Sequence, residues 1–242
     1  MWCRSLVFYC GYFLAILFFG VIMAPIARLF PLRKRFAVLN TYNYVTVRWL
    51  RMTCGVRFQV EHQGRLPDGP CVLVSNHQSE WETLFLQTIK HSMCTVIKRE
   101  LLNLPIFGWG LRLLQPIPLD RSKPSVALRA VLSVGVERLK SGMSVLIFPE
   151  GTRVNAGERK RFNKSGAVIA CNTGVPVVPV AHNAGECWPG KTFIKKPGMI
   201  TVVIGAPIDT SGRTAKEIMA EVEEWVDDQL ERISSVPYTP PG

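Results

Sequence analysis

"CVLVSNHQSEWETLFLQTIK", residues 71 to 90, changes character halfway along. Cys71 to Ser75 is a short apolar run of the kind a buried strand shows, whereas Trp81 to Lys90 reads as a helix. Asn76 and Ser79, between them, are residue types that cap helices. Strand, tight connection and helix make one unit, and the alternation recurs along the chain. Further strands are expected at Val56 to Glu61, Cys94 to Lys98, Val145 to Phe148, Val175 to Ala181 and Ile200 to Ile204. Further helices are expected at Pro124 to Lys140, Gly166 to Asn172 and Thr214 to Ile233. The pattern predicts an α/β domain, a central mixed sheet flanked by helices, with its active site on loops that follow strand ends.

The connection carries two titratable groups, His77 and Glu82. Five residues of helix is about 500°, so side chains at these positions point about 140° apart and share no face if both are mid-helix. They meet only if the turn into the helix falls between them or begins at His77. Ser79 to Glu82 also matches the S-x-x-E capping box, in which Glu82 bonds only backbone amides. The stretch alone leaves both readings open.

Ser5 to Ala27 holds 23 residues without a charge. As a helix this run reaches roughly 34 Å, enough to cross a bilayer. It is long for a cleaved secretory signal and lacks the A-x-A pattern of one, so a retained membrane-embedded segment is expected. Arg28, Arg33, Lys34 and Arg35 follow it, against Arg4 before it, which keeps the bulk of the chain cytoplasmic and predicts the inner membrane of the cell as its place. A return within one leaflet at Pro25 is the alternative. Val38, Tyr42, Val45, Trp49 and Met52 then recur at helical spacing beside Arg48 and Arg51, fitting either an interfacial amphipathic helix or an ordinary packed surface helix. Three parts result: an anchor with its interfacial helix over 1–54, the α/β domain over 55–233 and a frayed tail over 234–242.

Composition narrows the partners. With 29 Lys and Arg against 18 Asp and Glu, the chain carries a formal +11, which favours an anionic partner. No nucleic-acid motif accompanies the charge, and the apolar amino-terminal run points to lipid. The seven cysteines contain no C-x-x-C, and none of His62, His77, His91 and His182 has metal-site spacing, so no metal is expected and a zinc hydrolase lacks its ligands.

Other blocks follow in order: "KRELLNLPIFGWG" (98 to 110), "PIPLDR" (116 to 121), "FPEGTR" (148 to 153), "RFNKSGA" (161 to 167) and "GVPVVPVAHNAG" (174 to 185). Together with Asn76 and His77, they resemble the glycerolipid acyltransferase family, most closely the lysophosphatidic acid (1-acylglycerol-3-phosphate) acyltransferases. The family's first motif is N-H-x-x-x-x-D, with the histidine as general base; here position 82 is glutamate, one methylene longer. The resemblance implies His77, Glu82 and Lys98 as the catalytic set, with Lys98 answering the developing oxyanion. It also assigns the block Glu150, Gly151, Thr152 and Arg153 to the acceptor phosphate, with Arg121 as a second candidate; Glu150, an anion itself, is expected to orient Arg153, loop amides or a substrate hydroxyl and not to touch the phosphate. No cofactor is implied; acyl-CoA or an acyl-carrier protein is the co-substrate, and the phospholipid membrane and lysophosphatidic acid are the partners.

The chemistry suits these residue types. A thioester is already activated, so the task left is deprotonating an alcohol as it attacks, which an imidazole near its ordinary pKa performs at neutral pH. A carboxylate behind it fixes the tautomer and stabilises the imidazolium. Arg153 can hold a phosphate bidentately. Each residue also has a plainer use: Lys98 as a solvated surface lysine, Pro149 and Gly151 as a turn, Arg121 in a salt bridge with Asp120, and Arg159, Lys160, Arg161 and Lys164 as a solvated basic face. A membrane-surface protein that binds anionic lipid without catalysis, its dyad disabled by glutamate, is the rival function. The chemistry could equally serve another lysophospholipid, a lyso-aminolipid or glycerol-3-phosphate.

Overall fold

The structure, a computed structural model, describes residues 1–120 and 124–237, with the backbone alone for 124–127. Its centre is a seven-stranded mixed sheet: β1 (Val56–His62), β2 (Val72–Ser75), β3 (Met93–Lys98), β4 (Ile117–Leu119), β5 (Ser144–Ile147), β6 (Val177–His182) and β7 (Gly198–Ile204), in the order β1-β7-β6-β2-β5-β3-β4. All neighbours run parallel except β6 and β7. The central strands are apolar on both faces because both faces are covered. Leu73 and Leu146 point into one layer, and Val72, Val74, Val145 and Ile147 into the other.

The second layer packs under α6 (Pro124–Lys140), α7 (Ser165–Thr173) and α9 (Ala215–Ile233), while the short α8 (Ala184–Cys187) follows β6. α9 starts at a capping box: Thr214 N donates to Glu217 at 2.8 Å, and Glu217 N donates back to the Thr214 hydroxyl at 3.3 Å. Ile218, Val222, Val226 and Leu230, three or four apart, form its buried stripe. Burying each such side chain contributes about 1.5–3 kcal/mol.

The first layer belongs to the amino-terminal helices and to α4 (Trp81–Phe85). α1 (Trp2–Phe18) passes through a π-helical turn, Phe19–Met23, into α2 (Ala24–Arg28). Pro25 lacks the N–H that an α-helix would offer the carbonyl of Val21, which accounts for the widened turn just before it. α3 (Leu32–Cys54) then runs back along α1. Arg4 Nε donates to Thr53 O at 2.7 Å and Trp49 Nε1 to Phe8 O at 3.1 Å. A Cβ at Gly11 would sit 2.2 Å from the Trp49 ring, so glycine sets this close crossing.

Trp2–Arg28 is long and apolar enough to cross a membrane. Both its ends are nevertheless fastened to the domain. Ser5 Oγ accepts from Lys195 N and Tyr9 OH from Lys195 Nζ, while Gly20 packs on Ile106, and Ala24 and Ala27 pack near Leu113 and Leu114. The outward face is left apolar, with Leu14 66% and Leu17 46% exposed.

The structure departs from expectation at two places. The helix expected over Trp81 to Lys90 stops at Phe85 and tightens into a 3₁₀ turn, Leu86–Thr88, where the Thr88 hydroxyl bonds back to Phe85 O. Pro179 lies in the central strand β6, just where that strand begins to pair antiparallel with β7, at Val180. β4 and α5 (Phe107–Leu113) were not expected at all. Of the tail, Ser234 and Ser235 are tied to Glu186, and 238–242 lie outside the described residues.

Candidate active site

β2 and β6 are neighbours, pairing Ser75 with Val180, so the residues just beyond Ser75 and those at the end of β6 share one edge of the sheet. Asn76 bridges them: its Nδ2 donates to His182 O at 2.9 Å, and its Oδ1 accepts from His182 N at 3.0 Å. His77 follows at the mouth of α4, and Glu82 lies in that helix's first turn, fully buried.

One oxygen answers the question about the pair. Glu82 Oε1 lies 2.7 Å from His77 Nδ1 and accepts from the amides of Gln78 at 2.9 Å and Ser79 at 2.7 Å. The helix-start geometry and the imidazole brace are therefore the same arrangement, not alternatives. With Nδ1 engaged, Nε2 is the ring nitrogen left for a substrate. Phe148, the first residue of "FPEGTR", stacks on the ring at 4.2 Å between centroids and 20° between planes.

Burial works to raise the Glu82 carboxyl, but the flanking imidazoles of His182 and His77 and the Ser79 amide outweigh it and hold it below the ordinary range. Glu150 goes the other way. Buried and facing the charge of Glu82, its carboxyl is held well above the usual value even though the His77 N–H lies against it. Two nearby carboxyls are thus shifted in opposite directions.

The loop after β5 is fastened to the loop after β2. Gly151, at φ +70, closes a turn by donating to Phe148 O, and Val154 N donates to His77 O at 2.8 Å. Thr152 and Arg153 are thereby brought to the cavity that His77 lines. Arg153 Nη1 donates to Glu80 Oε1 at 3.1 Å, so its partner is Glu80 and not Glu150. Lys98, at the end of β3, lines the same cavity, 48% exposed and 3.3 Å from Glu100. Glu82 and Glu150 are buried and outside the lining, Gly151 is exposed and also outside it, and Arg121 lies outside the described residues.

The cavity is about 990 Å³. From His77 it runs under Phe13 and Ile16 of α1 and past Leu39, Met93 and Ile106, a mostly apolar path. Its walls suit a hydrocarbon chain, and its polar lining includes His77, Lys98 and Arg153. Among the described residues, no three His, Cys, Asp or Glu side chains converge as metal ligands would.

Phe148, Glu80 and His182 were not foreseen as site residues; only their places beside the motif histidine and at a strand end hint at them. The basic cluster divides. Arg159 pairs with Asp227 at 2.9 Å and pins its loop to α9, while Lys160, Arg161 and Lys164 are exposed.

Residues 57–183 match the acyltransferase family model. The chain is 41% identical over 239 residues to the 1-acyl-sn-glycerol-3-phosphate acyltransferase of Pseudomonas aeruginosa, covering 96% of this chain and 92% of that one. It is 33% identical over 180 residues to the human 1-acyl-sn-glycerol-3-phosphate acyltransferase beta, covering 73% and 65%. The crystal structure of the 1-acyl-sn-glycerophosphate (LPA) acyltransferase PlsC from Thermotoga maritima superposes with a TM-score of 0.82 at 26% identity, over 98% of this chain and 97% of that one.

Proposed function

Because this chain belongs to the acyltransferase family, we propose that it esterifies the sn-2 hydroxyl of 1-acyl-glycerol-3-phosphate from an acyl thioester, giving phosphatidic acid. The observation that carries the reading is the 2.7 Å contact of His77 with Glu82 inside a cavity that Arg153 also lines. His77 Nε2 takes the proton of the attacking hydroxyl, and Glu82 stabilises the imidazolium. The new C–O bond forms as the C–S bond breaks, and the proton passes from His77 to the departing thiolate. Lys98 faces the carbonyl oxygen as its charge develops. Arg153, with Gly151 and Thr152 in its loop and Glu150 behind, receives the acceptor phosphate; Arg121 is a second candidate for that task.

The donor is acyl-CoA or an acyl-carrier protein, and the reaction calls for no cofactor. The apolar cavity takes an acyl chain. Residues 1–54 attach the 55–233 domain to the inner membrane on its cytoplasmic side, with Arg28, Arg33, Lys34 and Arg35 at the phosphates. Because the Trp2–Arg28 segment is held to the domain at both ends, it lies along one leaflet instead of crossing.

The test is thiol release by the purified protein supplied with acyl-CoA and a panel of lyso-acceptors, beside His77→Ala. Turnover confined to the phosphate acceptor and lost in the variant supports the proposal. Equal turnover by both proteins, or none by either, sinks it.

A further inference from the structure

His182 is buried completely, and both of its ring nitrogens are engaged. Ala184 N donates to Nδ1 at 3.2 Å, which makes Nδ1 the acceptor. Nε2 therefore carries the hydrogen, and it donates to the Asn76 carbonyl at 2.8 Å. The tautomer follows from the partners: a second proton on Nδ1 would point at an amide hydrogen. Burial agrees, since it holds the imidazole below its ordinary pKa in spite of the nearby Glu82 charge.

The Asn76 carbonyl is one end of the peptide group whose other end is the His77 N–H. That N–H lies against the Glu150 carboxyl, and the His77 carbonyl accepts from Val154. The backbone from which the base projects is thus held from three elements: the end of β6, the turn after β5 and the loop beyond it. His182 is not among the residues that line the cavity. We propose that His182 is a positioning residue for the acyl-transfer site: by donating to the Asn76 carbonyl, it fixes the peptide that aims His77 at Glu82 and at the hydroxyl.

The inference rests on His77 acting as the base. An aim lost by a fraction of an ångström costs turnover, not substrate affinity, with misplacement by about 1 Å worth roughly a hundredfold. Glutamine places its amide nitrogen the same number of bonds from Cα as His Nε2, so His182→Gln keeps the donor. His182→Asn offers an amide only at the Nδ1 position, and His182→Leu offers none.

The experiment measures kcat and KM for both substrates in these three variants, each below its own unfolding midpoint. The expected result is kcat near wild type for Gln and a loss of about ten- to a hundredfold for Asn and Leu, with KM values unchanged. Equal losses in all three variants, a loss confined to KM, or full turnover in Asn and Leu would overturn it. If the Leu variant does not fold, the comparison of Gln with Asn decides alone. His77→Ala in the same assay separates the two levels. Turnover retained there overturns the base assignment itself, whereas turnover lost there but kept in His182→Asn overturns only the role of His182.

Discussion

Glu82 Oε1 receives the His77 imidazole at 2.7 Å and two backbone amides at 2.9 and 2.7 Å, so helix start and imidazole brace share one atom. Replacing that atom separates charge from shape. Glu82→Gln keeps the length but loses the anion that stabilises the imidazolium, and kcat is expected to fall about a hundredfold or more. Glu82→Asp restores the carboxylate of the family motif and is expected to stay within about tenfold of wild type. Steady-state thiol release decides, and a Gln variant as fast as wild type would remove Glu82 from the mechanism.

Arg153 is held by Glu80 through one nitrogen, leaving the rest of its donor fork for a phosphate. Arg153→Ala is expected to raise the acceptor KM about ten- to a hundredfold while leaving the donor KM alone. Glu80→Gln loosens a pair with both partners more than a third exposed, and is expected to change the same KM by less than about fivefold. A donor KM that moves with the acceptor KM would argue against the phosphate role.

Glu150 gives a pH signature. Its folded-state pKa is raised above the unfolded value of about 4.3, chiefly by burial, so its contribution to stability is full below that value and is lost as pH rises through the folded one. Glutamine does not titrate. Thermal midpoints of Glu150→Gln relative to wild type should therefore rise as pH is taken from about 4 to about 8. A difference that stays flat across that range contradicts the raised carboxyl.

Lys195 has the opposite sign. Its ammonium is buried against Tyr9 OH and the carbonyls of Thr192 and Phe193, and burial brings it down to about 8 from 10.5, against the opposing charge of Glu80. A lowered folded pKa adds stability above the unfolded value and loses it as pH falls through the folded one. In detergent, wild type should gain on Lys195→Met between pH 8 and 10.5, the window those two values define. Parallel stability curves would show that the amine stays charged throughout.

The parts of the fold legible in the sequence were those whose signals are local. α6 begins at Pro124, and Gly142 follows its end; the central strands are apolar runs, and α9 opens on its capping box. β4 and α5 were hidden because Pro116 and Pro118 disguise an edge strand and Gly108 and Gly110 disguise a helix. His77 and Glu82 could be found by motif, yet whether they met turned on a chain reversal that helical geometry alone left open. His182 could not be found this way. Its bond to Asn76 joins residues 106 positions apart, and only the pairing of β2 with β6 brings them together.

Phe13 and Ile16 form part of the cavity wall, yet they belong to the helix whose other side is bare and apolar. Anchor and binding chamber are consequently one piece of architecture. Trimming the first thirty or so residues to obtain a water-soluble fragment would open the chamber sideways, so solubility and turnover cannot be engineered apart in this chain by truncation.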